Sequence, residues 1–387
     1  MEARREEPEG LSLRRVESNP LLELGRHGQS VWLDSIRRRV IVGGELKRLI
    51  EEDGVRGITS NPSIFEKAVS AGSDYDEQVR ELVMRQPEIT KEHLYEQVVV
   101  KDIQMAADAL RPVWEESSGQ DGFVSLEVSP AVGHDTEATI QEAHHLWGVV
   151  DRPNLLIKIP GTREGIPAVE RCLADGININ ITLMFSPNHY EDVADAYLRG
   201  IVRLSDPSPV TSVASIFVSR IDTKVDAMLK AIGSPEAVAL LGRVAIASAK
   251  LIYRRYLEIF HGEQFADLHR NGARVQRVLW ASTSTKNPNY PDTLYVDNLI
   301  GPETVNTMPP ETARAFRDHG SATPKLEVNL EQAEADLRTL AAVGIDINQV
   351  GEELQAEGLR AFADSFGALV DALERKKQQM VAGENTS

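Results

Sequence analysis

The stretch Leu155-Leu156-Ile157-Lys158-Ile159-Pro160-Gly161-Thr162 places one lysine inside an otherwise apolar run. Continuous apolar runs of this length are typical of strands that are buried on both faces of a sheet. An ammonium group in such a strand is costly unless it is paired or has lost its proton. Burial disfavours the charged form of lysine, and a neutral amine is the nucleophile that forms a Schiff base with a carbonyl compound. The stretch therefore predicts a buried strand with a functional lysine, unless the strand ends before Lys158.

Similar apolar runs recur along the chain, and each is followed by a segment with helical periodicity. Eight strands that alternate with helices favour a (β/α)₈ barrel, the TIM-barrel architecture, over an open doubly wound sheet. No GxGxxG motif follows any of the runs, which argues against a dinucleotide-binding fold. The predicted strands are residues 30–34, 55–59, 123–128, 155–159, 177–183, 213–218, 278–282 and 294–300.

The domain organisation that the sequence predicts is a single α/β barrel of residues 21–375 with extra helical segments near both ends. No Gly/Ser-rich linker or low-complexity tract interrupts this span. Residues 1–20 form a polar N-terminal arm and residues 376–387 a polar C-terminal tail, because charged and polar residues dominate both. A chain of 387 residues with 42% hydrophobic content can bury a core of this size.

Composition and charge limit the classes of function. No run of about 20 apolar residues is present, so we expect no membrane span. The N-terminus lacks the apolar stretch of a signal peptide, and one cysteine, Cys172, fits a reducing compartment. We therefore expect a cytoplasmic protein. A net charge of −17 argues against nucleic-acid binding but allows a local basic pocket for a small phosphorylated ligand. No HExxH or clustered Cys/His spacing predicts a metal site.

Polar side chains lie at the ends of seven successive predicted strands. A (β/α)₈ barrel keeps its active site at these carboxyl ends, so the side chains are expected to converge on one cavity. An unpaired polar group in an apolar run costs several kcal/mol, which makes a purely structural origin for the whole ring improbable. Its members are Asp34, Asn61, Glu127, Lys158, Asn180, Thr182, Ser215, Arg220, Ser282 and Lys286.

These residue types fit the chemistry of a ketose. Lys158 is the candidate nucleophile for a ketone, and it would give a carbinolamine and then an iminium. Glu127 and the Thr182 hydroxyl would position water and move protons during these steps. Asp34 would serve as the base for the hydroxyl next to the carbon–carbon bond that breaks.

The remaining members of the ring would bind the substrate. Asn61 and Asn180 would form hydrogen bonds with the substrate's hydroxyls or hold the intermediate. Arg220, Ser282 and Lys286 follow late strands, where barrels often bind a phosphate group.

Structural interpretations compete with these roles. Lys158 and Glu127 could be a buried ion pair without catalytic function. Asp34 precedes three arginines and could be the N-cap of a helix with a basic start. Arg220 and Asp222 could form an ordinary surface pair.

Six segments carry a resemblance to a known family: residues 29–34, 57–65, 124–128, 156–160, 177–183 and 214–222. Together they are highly specific, and the match runs from about residue 19 to beyond residue 300. On these motifs the chain resembles the transaldolases, and among them the longer bacterial type. The resemblance implies a (β/α)₈ barrel that uses a lysine Schiff base without metal or organic cofactor. It also implies transfer of a dihydroxyacetone unit from fructose 6-phosphate or sedoheptulose 7-phosphate to an aldose phosphate, in the non-oxidative pentose phosphate pathway.

The resemblance assigns the same roles residue by residue. It makes Lys158 the Schiff-base lysine, Asp34 the acid/base, and Glu127 with Thr182 the pair that handles water. Asn61, Asn180 and Ser215 would hold the dihydroxyacetone part, and Arg220 the phosphate. The expected partners are small sugar phosphates. The family contains both monomers and dimers, and we take a homodimer as the expectation.

Two positions separate this chain from related enzymes. Fructose-6-phosphate aldolases, which release free dihydroxyacetone, usually carry glutamine where Glu127 lies and tyrosine where Phe217 lies. This chain has the residues typical of transaldolases, Glu127 and Phe217, at both positions. Phe217 is therefore added to the expected substrate-binding residues.

Many transaldolases have Ser-Phe-Arg after the seventh strand, whereas this chain has Ser282-Thr283-Ser284-Thr285-Lys286. Lys286 would then supply the second positive charge as a point charge. A non-catalytic barrel that binds sugar phosphates is the remaining alternative.

Overall fold

A closed barrel of eight parallel strands forms the centre of the computed structural model, which describes residues 19–384. Each strand pairs with its two neighbours in chain order, and β1 pairs with both β2 and β8, which closes the barrel. The strands are β1 Gln29–Leu33, β2 Val55–Ile58, β3 Phe123–Glu127, β4 Leu155–Pro160, β5 Ile179–Met184, β6 Ser212–Phe217, β7 Arg277–Ala281 and β8 Thr304–Met308.

Helices surround the barrel, as the predicted (β/α)₈ architecture requires. Every residue of β4, β5 and β6 is buried, which explains why their sequences are apolar apart from the site residues and Ser212. The helices are α1 Pro20–Arg26, α2 Arg38–Val42, α3 Glu45–Asp53, α4 Pro62–Ser70, α5 Asp76–Arg85, α6 Lys91–Glu116, α7 Thr136–Val150, α8 Gly165–Ala174, α9 Pro187–Ile201, α10 Ser219–Ile232, α11 Pro235–Val238, α12 Val244–Phe260, α13 Glu263–Arg270, α14 Leu294–Asn298, α15 Pro310–His319, α16 Leu330–Ala342 and α17 Ile347–Glu384.

The eighth strand was predicted in the wrong place. Residues 294–300 form α14 and the turn after it, and the strand that closes the barrel is β8, with the sequence Thr-Val-Asn-Thr-Met. Its polar side chains are buried because the fold provides partners: the Thr304 hydroxyl donates to the Gly301 carbonyl at 2.6 Å, and Asn306 accepts from the Thr283 hydroxyl at 3.0 Å. A search for apolar runs misses such a strand.

The chain ends also differ from the predicted boundaries. Residues 1–18 of the predicted arm lie outside the described residues, and α1 begins at Pro20 with Asn19 as its N-cap. Helix α17 continues through the predicted boundary at residue 375, so residues 376–384 are part of this helix. Lys376 pairs with Asp76 at 2.6 Å, and Lys377 donates to the Ile89 carbonyl at 2.7 Å, which attaches the helix end to the barrel's outer helices. No helix within residues 19–384 is long and apolar enough to cross a membrane.

Candidate active site

A cavity of about 550 Å³ opens at the carboxyl ends of the strands. Predicted side chains that lie on or directly after six strands, β1, β2 and β4 to β7, line it, as expected for a barrel. All the predicted site residues line it except Glu127, which lies behind Lys158, and Asn180, which is buried beside Ser215. The predicted residues that line the cavity are Asp34, Asn61, Lys158, Thr182, Ser215, Phe217, Arg220, Ser282 and Lys286.

Lys158 lies on β4 with its amine almost fully buried, since 5% of the side chain is exposed. Its Nζ is 3.2 Å from Oε2 of Glu127, and it donates a hydrogen bond of 3.0 Å to the Ser60 carbonyl. Strand register causes the first contact, because Glu127 of β3 is directly opposite Lys158 of β4. The buried ion pair considered from the sequence is therefore present, and it lies at the wall of the cavity.

The Thr182 hydroxyl keeps unused hydrogen-bonding capacity close to the Lys158–Glu127 pair. Burial raises the pKa of Glu127 above its usual range, and the Lys158 charge opposes that rise. Among residues 19–384, the buried Thr182 hydroxyl has no hydrogen-bond partner, whereas Oε2 of Glu127 has the Lys158 amine at 3.2 Å. Buried polar atoms are rarely left unpaired, so the Thr182 hydroxyl is equipped to bind a ligand or a water molecule beside the pair.

Asp34 follows β1 and points into the cavity, so it is not the helix N-cap considered from the sequence. Helix α2 begins at Arg38, and its N-cap is Arg37. The Thr59 hydroxyl donates to Oδ1 of Asp34 at 2.7 Å and is 2.6 Å from the Thr307 hydroxyl. Burial raises the pKa of Asp34, and the Thr59 hydrogen bond, followed by the charges of Lys158 and Arg220, lowers it in part.

Three polar residues lie around the lysine: Asn61 and Ser215 line the cavity, and Asn180 lies behind Ser215. Asn61 caps α4 by accepting from the Ile64 backbone at 3.0 Å, which leaves its amide N–H groups free toward the cavity. Asn180 donates to the Ser125 hydroxyl at 3.0 Å and accepts from the Ser215 hydroxyl at 2.7 Å. These bonds fix the orientation of the Asn180 and Ser215 side chains beside Lys158.

Arg220 lies at the other side of the cavity between two aromatic rings. Its Cζ is 5.2 Å from the ring centroid of Phe217 and 5.9 Å from that of Phe362 on α17. Burial lowers the pKa of Arg220. It is not in a surface pair with Asp222, because Asp222 is buried and accepts from the Ala245 backbone and the Tyr295 hydroxyl. No carboxylate of the described residues lies within 4.0 Å of Arg220, so its charge is available to an anion.

The segment after β7 brings Ser282 and Lys286 to the same cavity. Ser282 has a φ of 54°, a left-handed conformation that costs a residue with a side chain about 1–2 kcal/mol. Its hydroxyl is 3.0 Å from that of Ser219, next to Arg220 in the chain. Lys286 donates to the Ser284 hydroxyl at 2.6 Å, and partial burial lowers the pKa of its amine.

A bulge in β5 supports the Lys158 side of the site. The register between β5 and β6 shifts between Ile181 and Met184, and Leu183 has a φ of 59°. Gln355 of α17 donates to the Leu183 carbonyl at 3.0 Å and to the Gly161 carbonyl at 2.8 Å. A side chain on Gly358 would come within 2.8 Å of Leu183. Helix α17 thus holds the strained backbone directly after Thr182.

Sequence reasoning missed several residues of this arrangement. Thr59 is the last residue of a predicted strand and could have been found there. Thr307 was missed because its strand was assigned elsewhere. Gln355 and Gly358 carry no local signal, since their contacts are far away in the chain. In the described part of the chain, no cluster of three His, Cys, Asp or Glu residues could hold a metal ion.

Comparison with known proteins gives one consistent result. Residues 31–373 match the Transaldolase/Fructose-6-phosphate aldolase family. A transaldolase of Thiobacillus denitrificans is 47% identical over 352 residues, which cover 90% of this chain and 98% of the relative. A transaldolase of Parafrankia sp. is 46% identical over 364 residues (93% and 98% coverage). One of Thermobifida fusca is 46% identical over 369 residues (94% and 99% coverage).

Proposed function

Since the chain belongs to the transaldolase/fructose-6-phosphate aldolase family, we propose that it is a transaldolase. It takes a dihydroxyacetone unit from fructose 6-phosphate or sedoheptulose 7-phosphate and passes it to an aldose phosphate. The observation that carries the proposal is the buried Lys158 amine, 3.2 Å from Glu127 and in the same cavity as Asp34. The relatives that match along almost their whole length carry the name transaldolase, which supports the same activity.

Lys158 provides the nucleophile in the first half of the reaction. Its neutral amine adds to the ketone carbon of the sugar, and the carbinolamine loses water to give an iminium. Glu127 is close enough to accept the proton that the ammonium group must lose, and burial, which raises the pKa of Glu127, favours its protonated form. The same carboxyl group and the Thr182 hydroxyl would hold the water that leaves. The unpaired Thr182 hydroxyl and the position of the Glu127 carboxyl group beside the amine support this role.

Asp34 acts in the carbon–carbon step. Its carboxylate takes the proton of the hydroxyl on the far side of the bond that breaks, and the bonding electrons move to the iminium to give an enamine. The released product is an aldose phosphate, which is glyceraldehyde 3-phosphate when the donor is fructose 6-phosphate. The enamine then attacks the aldehyde carbon of the acceptor, and Asp34 returns the proton to the new hydroxyl. Hydrolysis of the iminium frees the product and Lys158.

The other side chains hold the two ends of the sugar. Asn61, Asn180 and Ser215 would bind the hydroxyls of the dihydroxyacetone part, since they surround the lysine. At the far end, Arg220 would bind the phosphate, together with Ser282 and Lys286. Phe217 would contact the substrate while its ring faces the Arg220 guanidinium. The reaction would belong to the non-oxidative pentose phosphate pathway. A cytoplasmic location of the protein is supported by its low cysteine content.

A transfer assay tests this function. Release of glyceraldehyde 3-phosphate from fructose 6-phosphate is followed by a coupled enzyme, with and without erythrose 4-phosphate as acceptor. We expect sustained turnover of fructose 6-phosphate only when erythrose 4-phosphate is present. The Lys158→Met variant is the inactive control. Equal turnover without the acceptor, with free dihydroxyacetone accumulating, would instead identify an aldolase. No turnover in either assay would refute both functions.

A further inference from the structure

The mouth of the cavity carries an excess of positive charge in a chain whose net charge is −17. Besides Lys158, six cations line the cavity, against the carboxylates of Asp34, Glu45 and Glu311. Two of the six are Arg220 and Lys286, which the proposed function already uses. The other four are Arg37, Arg39, Lys67 and Arg314, and we call them the rim cations.

The rim cations lack carboxylate partners. Within the side chains that the structure describes, no Asp or Glu oxygen lies within 4.0 Å of any of the four. Their neighbours in the chain are paired: Arg38 lies 2.7 Å from Asp102, and Arg317 lies 3.1 Å from Asp53. On α2 and on α15, a paired arginine therefore lies close in the chain to an unpaired one, and the unpaired one lines the cavity.

The positions of these residues make one continuous arc. Arg37 and Arg39 follow β1, Lys67 lies on α4 after β2, and Arg314 lies on α15 after β8. Strands β8, β1 and β2 are neighbours in the barrel, and β7, which precedes Lys286, is next to β8. The arc therefore leads from open solvent to the phosphate-binding side of the cavity. Arg39, Lys67 and Arg314 are exposed, so an anion in solution can reach them.

We propose that the rim cations form an outer anion site that captures the phosphate group of an incoming sugar phosphate before Arg220 and Lys286 receive it. This inference rests on the proposed function for the identity of the ligand. Clefts lined by charge of one sign raise the local concentration of an oppositely charged substrate and its association rate. The outer site would therefore act on capture of phosphorylated sugars and leave the chemical steps unchanged.

The Lys286 amine is affected by the charge of a rim cation, Lys67, as well as by that of Arg220. Partial burial lowers the pKa of its amine, and the charges of Arg220 and Lys67 lower it further, whereas Glu311 and Asp34 oppose the change. Lys67 and Lys286 are therefore close enough to repel each other across the mouth. A bound phosphate dianion would relieve that repulsion for both.

A double substitution tests the outer site. Lys67→Gln/Arg314→Gln removes two rim charges. Arg80→Gln/Lys230→Gln is the matched control, because it removes two exposed charges outside the cavity that also have no carboxylate partner among residues 19–384. At a separation of about 10 Å, loss of two unit charges that act on a dianion should lower kcat/KM for fructose 6-phosphate about tenfold at low salt. At physiological salt we expect about a twofold loss, because a separation of this size is close to the Debye length.

Further kinetic measurements on the rim variant distinguish an effect on substrate association from an effect on the chemical steps. The kcat with fructose 6-phosphate should stay unchanged, the salt dependence of kcat/KM should flatten, and kcat/KM for uncharged D-glyceraldehyde as acceptor should not change. A rim variant that matches the control in kcat/KM and in salt dependence would overturn the outer site. So would a fall in kcat with KM unchanged.

Binding of inorganic phosphate provides a test that needs no turnover. A ligand that binds the folded state raises Tm according to its affinity, so phosphate should raise Tm less in the rim variant than in the control. An equal rise in Tm would contradict the outer site even if transfer is observed. Absence of transfer by the unaltered protein, with a reduced rise in the rim variant, would refute the proposed function and keep the outer site.

Discussion

Replacement of Lys158 by methionine tests the buried ion pair through stability. The substitution keeps the length and removes the charge that lies 3.2 Å from Glu127. At an effective dielectric constant of about 20, the lost attraction is about 5 kcal/mol if Glu127 stays ionised. Protonation of Glu127 at pH 7 costs about 3 kcal/mol, because pH 7 is far above the ordinary pKa of 4.5 and each unit costs about 1.4 kcal/mol. Protonation is cheaper, so Glu127 should become neutral in the variant.

The stability loss should therefore depend on pH in a defined direction. Burial raises the pKa of folded Glu127 above its unfolded value, and the Lys158 charge that limits this rise is absent in the variant. A carboxyl group whose pKa is higher in the folded state than in the unfolded state contributes stability below its unfolded pKa of 4.5. This stability is lost as the pH rises from 4.5 toward the folded pKa. We expect the free energy of unfolding of Lys158→Met to be lower than that of the unaltered protein by up to about 3 kcal/mol at pH 7, and by less than about 1 kcal/mol at pH 5, because the unaltered protein already carries part of the cost of burying Glu127.

Urea denaturation at both pH values measures this difference. The double variant Lys158→Met/Glu127→Gln is the control, because it removes both charges and replacement of a buried pair by neutral groups is often nearly neutral. It should recover most of the stability that Lys158→Met loses at pH 7, although both variants lack activity. An equal loss at pH 5 and pH 7, or a double variant as unstable as the single one, would refute the reasoning.

Two further predictions concern the support of the site. Thr59→Val removes the hydrogen bond that lowers the pKa of Asp34, so the acidic limb of the pH profile of kcat/KM should move to higher pH; an unchanged limb would exclude Asp34 as the base. Gly358→Ala places a Cβ 2.8 Å from Leu183 and should cost about 1–3 kcal/mol in thermal unfolding and lower kcat. Gly367→Ala on the same helix contacts nothing within 4 Å and should stabilise by about 0.5–1 kcal/mol with kcat unchanged, and equal effects of the two would contradict the packing argument.

Most of the barrel is predictable because its strands are buried on both faces. β4, β5 and β6 are apolar apart from the site residues and Ser212, and their predicted bounds lie within two residues of the observed ones. β8 lacks such an apolar pattern. Its threonines and asparagine are buried beside hydrogen-bond partners from distant segments, Gln29, Thr59 and Thr283, which no local pattern reveals. α14 was mistaken for a strand because a short apolar run has no diagnostic period.

The candidate site is predictable to the extent that it depends on strand ends. Lys158 and Glu127 stand out as charged residues in apolar runs, and register alone brings them together. Thr307, Gln355 and Gly358 were not predictable, because their partners belong to distant segments. Secondary structure can be inferred locally, whereas the contacts that orient Asp34 and support the β5 bulge exist only in the folded barrel.

Borohydride trapping shows whether Lys158 forms a covalent Schiff base with the sugar. The protein is reduced with borohydride in the presence of fructose 6-phosphate, digested, and analysed by mass spectrometry of the peptide that contains residue 158. We predict a stable sugar adduct on Lys158, with loss of activity in proportion to the modified fraction. An unmodified Lys158 in protein that turns over the substrate, or an adduct on a different lysine, would contradict the account.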